Sequence, residues 1–141
     1  MEDIYDLERF VRAQAEIYDR AIEALWTGRL PAEWAERIFP PMALSVPAPA
    51  EGFALGSIDQ AEAYLEHPVL GNRYREAVTI LETLADRSAV DIFGPTGAET
   101  VHSSLTLFAL ATTEPIVRAM LTVWFGGLRE EKTMRALGDT W

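Results

Sequence analysis

The sequence contains no cysteine. Disulfides, zinc ribbons, cysteine-ligated iron–sulfur clusters and thiol catalysis are therefore excluded. Histidine is nearly as scarce, with only His67 and His102 in a chain of 141 residues. A lack of cysteine is compatible with a reducing compartment, and we expect a cytoplasmic location.

Long apolar runs are also absent. The longest, such as LTLFALA at 105–111 and AMLTVWF at 119–125, fall far below the roughly 18 residues that a membrane span needs. The first residues, MEDIYDLERF, carry acids where a secretory signal has basic residues and then an apolar stretch. We expect a soluble protein without a membrane partner.

Basic residues are few, with 12 lysines and arginines against 22 acids and a net charge of −10. A protein that binds duplex nucleic acid needs a basic footprint to release counterions from phosphates. Here Arg9, Arg12, Arg20 and Arg29 are interleaved with acids. No nucleic-acid partner is expected, and the acid excess favours solubility.

Most of the chain has helical periodicity. The length and a hydrophobic content of 49% suit one domain, residues 1–141, with an ordinary core. Apolar residues at 3–4 spacing and capping signals predict main helices over about 4–28, 57–66, 68–84, 97–111 and 115–125, with short ones at 32–37, 88–93 and 130–137. No stretch shows the alternation of a half-buried strand. The predicted fold is an all-α, compact single-domain bundle of about six helices.

A proline-rich connection follows the first helix. Residues 30–53 contain five prolines, at positions 31, 40, 41, 47 and 49, and proline prevents long regular structure. Apolar side chains should anchor this connection in an ordered form, namely Trp34, Ile38, Phe39, Met42, Leu44 and Phe53. Ordered loops of this length are often functional.

The connection supplies the first candidate ligand residues. Trp34, Phe39 and Phe53 can form the wall of an apolar pocket, or they can pin the connection to the bundle. Arg37 can pair with an anionic ligand, or with Glu33, which lies four residues earlier on the same short helix.

The stretch TVHSSLTLF, residues 100–108, supplies the other candidates: His102, Ser103 and Thr106. One interpretation is a polar catalytic pocket. However, consecutive side chains on a helix diverge by about 100°, so His102 and Ser103 do not face each other as a base and a nucleophile must. The second interpretation is a tightly packed core helix whose hydroxyls bond to the carbonyl one turn earlier. No catalytic residue is assigned.

A metal site is not expected either. Glu99 and His102 have the Glu-x-x-His spacing of di-iron bundles, but the other histidine, His67, has Tyr64 three residues before it, so a second such pair is missing. We expect His67 with Pro68 to cap the next helix or to fill a turn rather than to catalyse. No metal and no cofactor are predicted.

Aromatic residues gather near the C-terminus, at Trp124, Phe125 and Trp141. An aromatic side chain close to a chain end either docks into the body of the protein or contributes to a partner interface. A homodimer is the corresponding hypothesis.

Several motifs together resemble a known family. These are YDLERFVRAQ at 5–14, FP at 39–40, AEAYLEHPVLGNRYRE at 61–76, DIFGP at 91–95, SSLTLF at 103–108 and FGG at 125–127. In this order and spacing they resemble domain-of-unknown-function family 1810, uncharacterised bacterial proteins sometimes labelled calpastatin. The resemblance covers nearly the whole chain and implies a compact all-α fold, without an established activity.

The chain departs from the family pattern at two places. The resemblance implies a tryptophan-rich stretch before the FP pair and a glutamine after it, where this chain has Glu33 to Arg37 and then Pro41. It also implies an acid and a lysine before the serine pair, where residues 96–102 contain no lysine. The resemblance therefore implies a divergent member.

Three hypotheses for function remain open. The first is a non-enzymatic helical domain that binds a small molecule or a protein partner through the 30–57 connection and the 99–111 helix. The second is an enzyme of unrecognised type with a polar pocket around His102 and Ser103. The third is a structural or interaction protein without a pocket.

Overall fold

The computed structural model describes residues 3–45 and 53–138. These residues form eight α-helices and no strand, which confirms the all-α class. The count exceeds the six or so that the sequence predicts. The helices are α1 Glu8–Ala15, α2 Tyr18–Trp26, α3 Ala32–Ile38, α4 Ile58–Glu66, α5 Leu70–Thr83, α6 Ala89–Ala111, α7 Pro115–Phe125 and α8 Glu131–Ala136.

The single helix predicted over residues 4–28 is wrong, because the chain forms α1 and α2 with a break between them. Ile17, at the break, has φ −124° and ψ −9°, and its N–H donates to the Gln14 carbonyl rather than to one four residues back. Buried positions nevertheless continue at 3–4 spacing through the break, at 7, 10, 14, 17, 21 and 25. Periodicity alone therefore could not reveal it.

Helix α6 lies at the centre of the molecule and packs against α3, α4, α7 and α8. From Val101 to Ala109 every residue except His102 is buried. The helix is interrupted at Gly94, with φ 73° and ψ 170°, where the sequence predicts a stop at Gly94-Pro95. Residues 88–93 thus form a short helical segment before the main part of α6, as expected.

Aromatic rings make up much of the core around α6. Phe108 stacks on Tyr74 with ring centroids 4.1 Å apart and meets Tyr64 edge-on at 5.4 Å. Phe39 packs edge-on against Tyr74 and Phe93. These contacts join α4, α5, α6 and the connection in one contiguous core.

Helix ends agree well with the capping signals. The Ser57 hydroxyl accepts from Gln60 N–H at the start of α4, Pro115 occupies the first turn of α7, and Gly126 ends that helix in a left-handed conformation. Just before α7, Thr112 Oγ1 accepts from Glu114 N–H at 3.1 Å.

The proline-rich connection begins with α3, which confirms the short helix predicted after Pro31. Residues 41–43 then pair with Leu55 through two backbone hydrogen bonds of 2.8 and 2.9 Å. Of the predicted anchors, Ile38, Phe39, Met42 and Phe53 are buried, whereas Leu44 is 91% exposed and anchors nothing. Pro47 and Pro49 lie outside the described residues.

Within residues 3–45 and 53–138, no helix combines the length and the apolar character that crossing a membrane requires.

Candidate functional site

Ser103 joins three segments of the chain. Its side chain is fully buried, and its Oγ lies 3.0 Å from Met42 N, 2.7 Å from Ser45 Oγ and 2.6 Å from Thr133 Oγ1. The contacts attach both the connection and α8 to the central helix α6.

One arrangement of protons satisfies the groups around Ser103. In it the Thr133 hydroxyl proton goes to Ser103 rather than to Glu130 Oε1, which lies 2.8 Å from Thr133 Oγ1 and accepts from Thr133 N–H instead. Thr133 donates to Ser103, Ser103 donates to Ser45, and Ser45 donates to the Met42 carbonyl at 2.6 Å. Met42 N–H donates back to Ser103. The Ser103 hydroxyl proton is then bonded to Ser45, and both lone pairs of the oxygen accept hydrogen bonds, so none is free for attack. Its role is to satisfy polar groups inside the core.

The next hydroxyls on α6 act in the same way. Ser104 Oγ lies 3.0 Å from the Tyr74 hydroxyl, and Thr106 Oγ1 accepts from Glu130 N–H at 3.0 Å. The core-helix interpretation of residues 100–108 is therefore correct, but its hydrogen bonds are not. Ser103, Ser104 and Thr106 bond across to other elements, and only Thr100 bonds back to a carbonyl one turn earlier.

His102 lies apart from this group. Its ring stacks on Phe125 with centroids 4.0 Å apart and planes at 3°, and its Nε2 lies 2.7 Å from the Leu128 carbonyl. As a donor to that carbonyl, His102 holds the turn after α7 against α6. The structure brings His102 and Ser103 into no common cavity, so it offers no base–nucleophile pair between them.

His67 has the capping role that the sequence predicts. Its Nδ1 accepts from Val69 N–H at 3.1 Å and from Leu70 N–H at 3.3 Å. With Nδ1 as the acceptor, Nε2 carries the proton and points to Glu8 Oε1 at 3.4 Å. Among the described residues, no three histidine or acidic side chains are grouped as metal ligands would be.

Trp34 and Phe39 do not share a cavity with the α6 candidates. Phe39 is fully buried in the aromatic core. Trp34 is half-buried, and the Arg20 guanidinium lies 5.8 Å from its ring centroid. Of the predicted apolar wall, only Phe53 borders one of the larger cavities seen in the described part of the chain.

Phe53 and Arg37 line a basic pocket of about 400 Å³, together with Arg9, Arg12, Ala13 and Glu16. These residues come from α1, from α3 and from the connection after it. We call this cavity the arginine pocket. It contains three of the twelve basic residues of a chain whose net charge is −10.

The three arginines are held differently. Arg9 donates to the carbonyls of Tyr5, Asp6 and Ala54, so most of its donors are already used. The described ion pairs join other residues and leave Arg12 and Arg37 without a carboxylate partner. Arg37 therefore does not form the predicted pair with Glu33.

Arg37 is fixed at its backbone, while the Nε atom of its side chain lacks a hydrogen-bond partner. The buried amide of Gln14 donates to the Arg37 carbonyl at 2.8 Å, and the Arg37 guanidinium lies 5.5 Å from the Phe53 ring centroid. Its Nε is buried without a hydrogen-bond partner. A buried unpaired donor is costly, and an acceptor that reached this atom would relieve that cost.

Sequence reasoning missed Arg9, Arg12 and Glu16 as pocket residues. In the sequence Arg9 and Arg12 are interleaved with acids, which counted only against a nucleic-acid partner. The available signal was the spacing: positions 9, 12 and 16 follow one another at three and four residues, so they share one side of α1. Nothing in the sequence indicated that α3 would bring Arg37 to that side.

A second, smaller cavity of about 260 Å³ lies between α6 and α7. Thr106 lines it with Arg118, Leu121, Thr122 and Arg129, among others. The Thr106 hydroxyl is already used by Glu130 N–H.

The fold and its cavities define an all-α protein with a concave basic surface beside its first helix. The chain belongs to the family described as Protein of unknown function (DUF1810), which matches residues 4–137. It is also similar to the conserved hypothetical protein Rv1873 from Mycobacterium tuberculosis, a crystal structure with 36% sequence identity. That similarity covers 96% of this chain and 98% of the other, with a TM-score of 0.88. No curated protein sequence matches this chain.

Proposed function

We propose that this protein is a non-enzymatic binding protein that holds a small molecule with an anionic group, such as a carboxylate, in the arginine pocket. The observation that carries the proposal is the meeting of Arg12 and Arg37 beside the Phe53 ring, both without a carboxylate partner among the described residues. Guanidinium groups match carboxylates and phosphates because they offer planar pairs of donors.

The electrostatic setting supports a small anion rather than a large one. The chain as a whole repels polyanions, because its net charge is −10. A local excess of positive charge in one concavity attracts a ligand that fits inside it. Nucleic acid, which needs an extended basic surface, is not proposed as a partner.

The size of the pocket suits a metabolite. Its volume of about 400 Å³ lies within the range of about 300–1,000 Å³ that is typical of small-molecule sites. Phe53, which is 5% exposed, and the half-buried Ala13 line the pocket and give the non-ionic part of a ligand an apolar contact. The site thus uses Arg37 and Phe53 from the connection, but α1 replaces the predicted 99–111 helix as the other wall.

The proposal keeps the predicted cytoplasmic location, which the absence of cysteine supports. The enzyme hypothesis around His102 and Ser103 finds no support, because Ser103 is enclosed in its own hydrogen-bond ring and His102 stacks on Phe125.

An NMR titration with ¹⁵N-labelled protein tests the proposal. Benzoate and inorganic phosphate serve as probes, and neutral benzamide serves as the uncharged match for benzoate. We expect benzoate to shift amide signals around residues 9–16, 37 and 53, and to bind at least about tenfold more tightly than benzamide, because one charge-assisted hydrogen bond contributes about that much.

A matched pair of double variants locates the effect. Arg12→Gln with Arg37→Gln should abolish the benzoate shifts. Arg118→Gln with Arg135→Gln removes the same total charge elsewhere and should leave the shifts unchanged. If neither anion binds, or if both double variants bind alike, the proposal is wrong.

A further inference from the structure

The arginine pocket contains charges of both signs. Glu16 lines it beside the three arginines and stands four residues after Arg12 on the same helix, yet the two do not form an ion pair. The Arg20 guanidinium donates to the Glu16 backbone carbonyl at 3.0 Å, and none of the described ion pairs uses the Glu16 carboxylate. Within residues 3–45 and 53–138, the pocket therefore presents two cations without a carboxylate partner, and one carboxylate, to a ligand.

Arg9 is not expected to bind the ligand directly, because most of its donors are already used. Its guanidinium donates to three backbone carbonyls and lies 4.5 Å from the Phe10 ring centroid. It stabilises the N-terminal turn and adds positive charge to the rim. Arg12 and Arg37 remain to bind an anionic group, and Glu16 remains to bind a cationic one.

We infer that the ligand is a free amino acid with an apolar side chain. This inference rests on the proposed function, since it assigns a ligand class to the same pocket. The ligand carboxylate pairs with Arg12 and Arg37, and its ammonium group pairs with Glu16. The apolar side chain lies against Phe53 and the Ala13 methyl group.

A simple anion satisfies this pocket less well. It would bring a negative charge next to Glu16, and like charges at close range oppose binding. It would also leave the Glu16 carboxylate without a partner while partly removing it from water. In a zwitterion, the carboxylate pairs with the arginines and the ammonium group pairs with Glu16. The ammonium group therefore increases the affinity.

Isothermal titration calorimetry with four related compounds tests the assignment. L-Phenylalanine has both charges, N-acetyl-L-phenylalanine and 3-phenylpropanoate keep only the carboxylate, and L-phenylalaninamide keeps only the ammonium group. We expect L-phenylalanine to bind about tenfold more tightly than each of the others, because each removes one charge-assisted interaction. L-Leucine tests whether an aliphatic side chain also fits.

The variant Glu16→Gln separates the roles of the two charges. Glu16 is exposed at the end of α1, so the protein with glutamine at this position should fold normally. Circular dichroism checks this. This variant should lose the preference for L-phenylalanine over 3-phenylpropanoate while still binding 3-phenylpropanoate. Glu23→Gln on α2, which removes the same charge outside the pocket, should keep the preference.

The outcomes separate the assignment of an amino acid as the ligand from the proposed function of the pocket. If 3-phenylpropanoate binds as tightly as L-phenylalanine, or if Glu16→Gln keeps the preference, the amino-acid assignment is overturned and anion binding stands. If neither compound binds while benzoate does, only the assignment fails. If no carboxylate binds, the proposed function fails as well.

Discussion

At the scale of single residues, Ser103 shows how a polar side chain can be indispensable to a core. Its Oγ contacts groups from the connection and from α8, so one hydroxyl satisfies partners from segments far apart in sequence. Each of those partners is itself buried. Removing the hydroxyl leaves the Met42 N–H, among others, without a partner.

The variant Ser103→Ala should therefore unfold more readily. We expect a loss of about 2 kcal/mol in the free energy of unfolding, since a buried donor left unsatisfied costs about 1–3 kcal/mol. Urea denaturation followed by circular dichroism measures it.

Thr79→Ala on α5 is the control, because the exposed Thr79 hydroxyl bonds only to a carbonyl of its own helix. It should change stability by less than about 0.5 kcal/mol. Equal stability of Ser103→Ala and the parent protein would contradict the role given to Ser103.

The contacts of a single residue can be predicted from the sequence only where local helix geometry determines them. The separation of His102 from Ser103 follows from helix geometry alone, and the structure agrees. Helix geometry does not give the hydrogen-bond partner of each hydroxyl, because Ser103 and Thr106 bind partners 24 to 61 residues away along the chain. Only the tertiary fold decides which backbone groups need those hydroxyls.

At the scale of helices, Arg75 and Glu114 fasten α5 to the start of α7. Their two hydrogen bonds, of 2.7 and 3.0 Å, form a bidentate pair. Arg75 also donates to the Leu65 carbonyl at the end of α4. The Arg75 guanidinium holds the pKa of the Glu114 carboxyl below its usual range, and the Thr112 hydroxyl adds a smaller effect in the same direction.

This pair should make stability depend on pH. Because folding lowers the pKa of Glu114, the stabilisation is complete above the ordinary glutamate pKa of 4.5 and disappears as the pH falls through the lowered folded-state value. Glu114→Gln should thus lower the melting temperature at pH 7, and the gap to the parent protein should close on acidification.

Differential scanning fluorimetry between pH 7 and about pH 3 measures the gap, since acid protonates paired carboxylates in this range. Glu82→Gln, an exposed acid on α5, is the charge-matched control and should show no comparable gap at pH 7. A gap for Glu114→Gln that stays constant down to the lowest pH would show that the ion pair is not its cause.

Capping chemistry made the helix ends the most predictable part of the fold. Ser57, Pro115 and Gly126 mark real boundaries, because the signals act within one turn of the chain. The break between α1 and α2 carried no such signal. It changes the direction of the chain without changing which side is buried, so the apolar pattern continues through it.

At the scale of the whole molecule, the arginine pocket arises from topology. Two of its arginines lie on α1, but Arg37 arrives from α3, and Phe53 from beyond the connection. The sequence identified Arg37 and Phe53 as ligand candidates through their place in a long connection. It could not pair them with α1, because no local pattern reports which helices become neighbours.

Whether the predicted homodimer forms depends on two opposing effects, the burial of exposed apolar side chains and the repulsion between two acidic chains. Leu128 is 70% exposed and Val123 49% exposed, near the half-buried Trp124, whose indole Nε1 lacks a hydrogen-bond partner. Trp141, the other aromatic of this prediction, lies outside the described residues. Two copies that meet here must overcome the repulsion of two chains of net charge −10.

We therefore expect association to strengthen with salt. Screening shortens the reach of charge repulsion from about 10 Å at 0.1 M salt to about 3 Å at 1 M, while apolar contacts are not weakened. Multi-angle light scattering at tens of micromolar should show a dimer whose share rises with sodium chloride.

Leu128→Asp should abolish the dimer, whereas Leu44→Asp, at an exposed leucine of the connection, should not. A monomer mass at every salt concentration would rule the homodimer out, and it would leave the arginine pocket, which lies within one chain, unaffected.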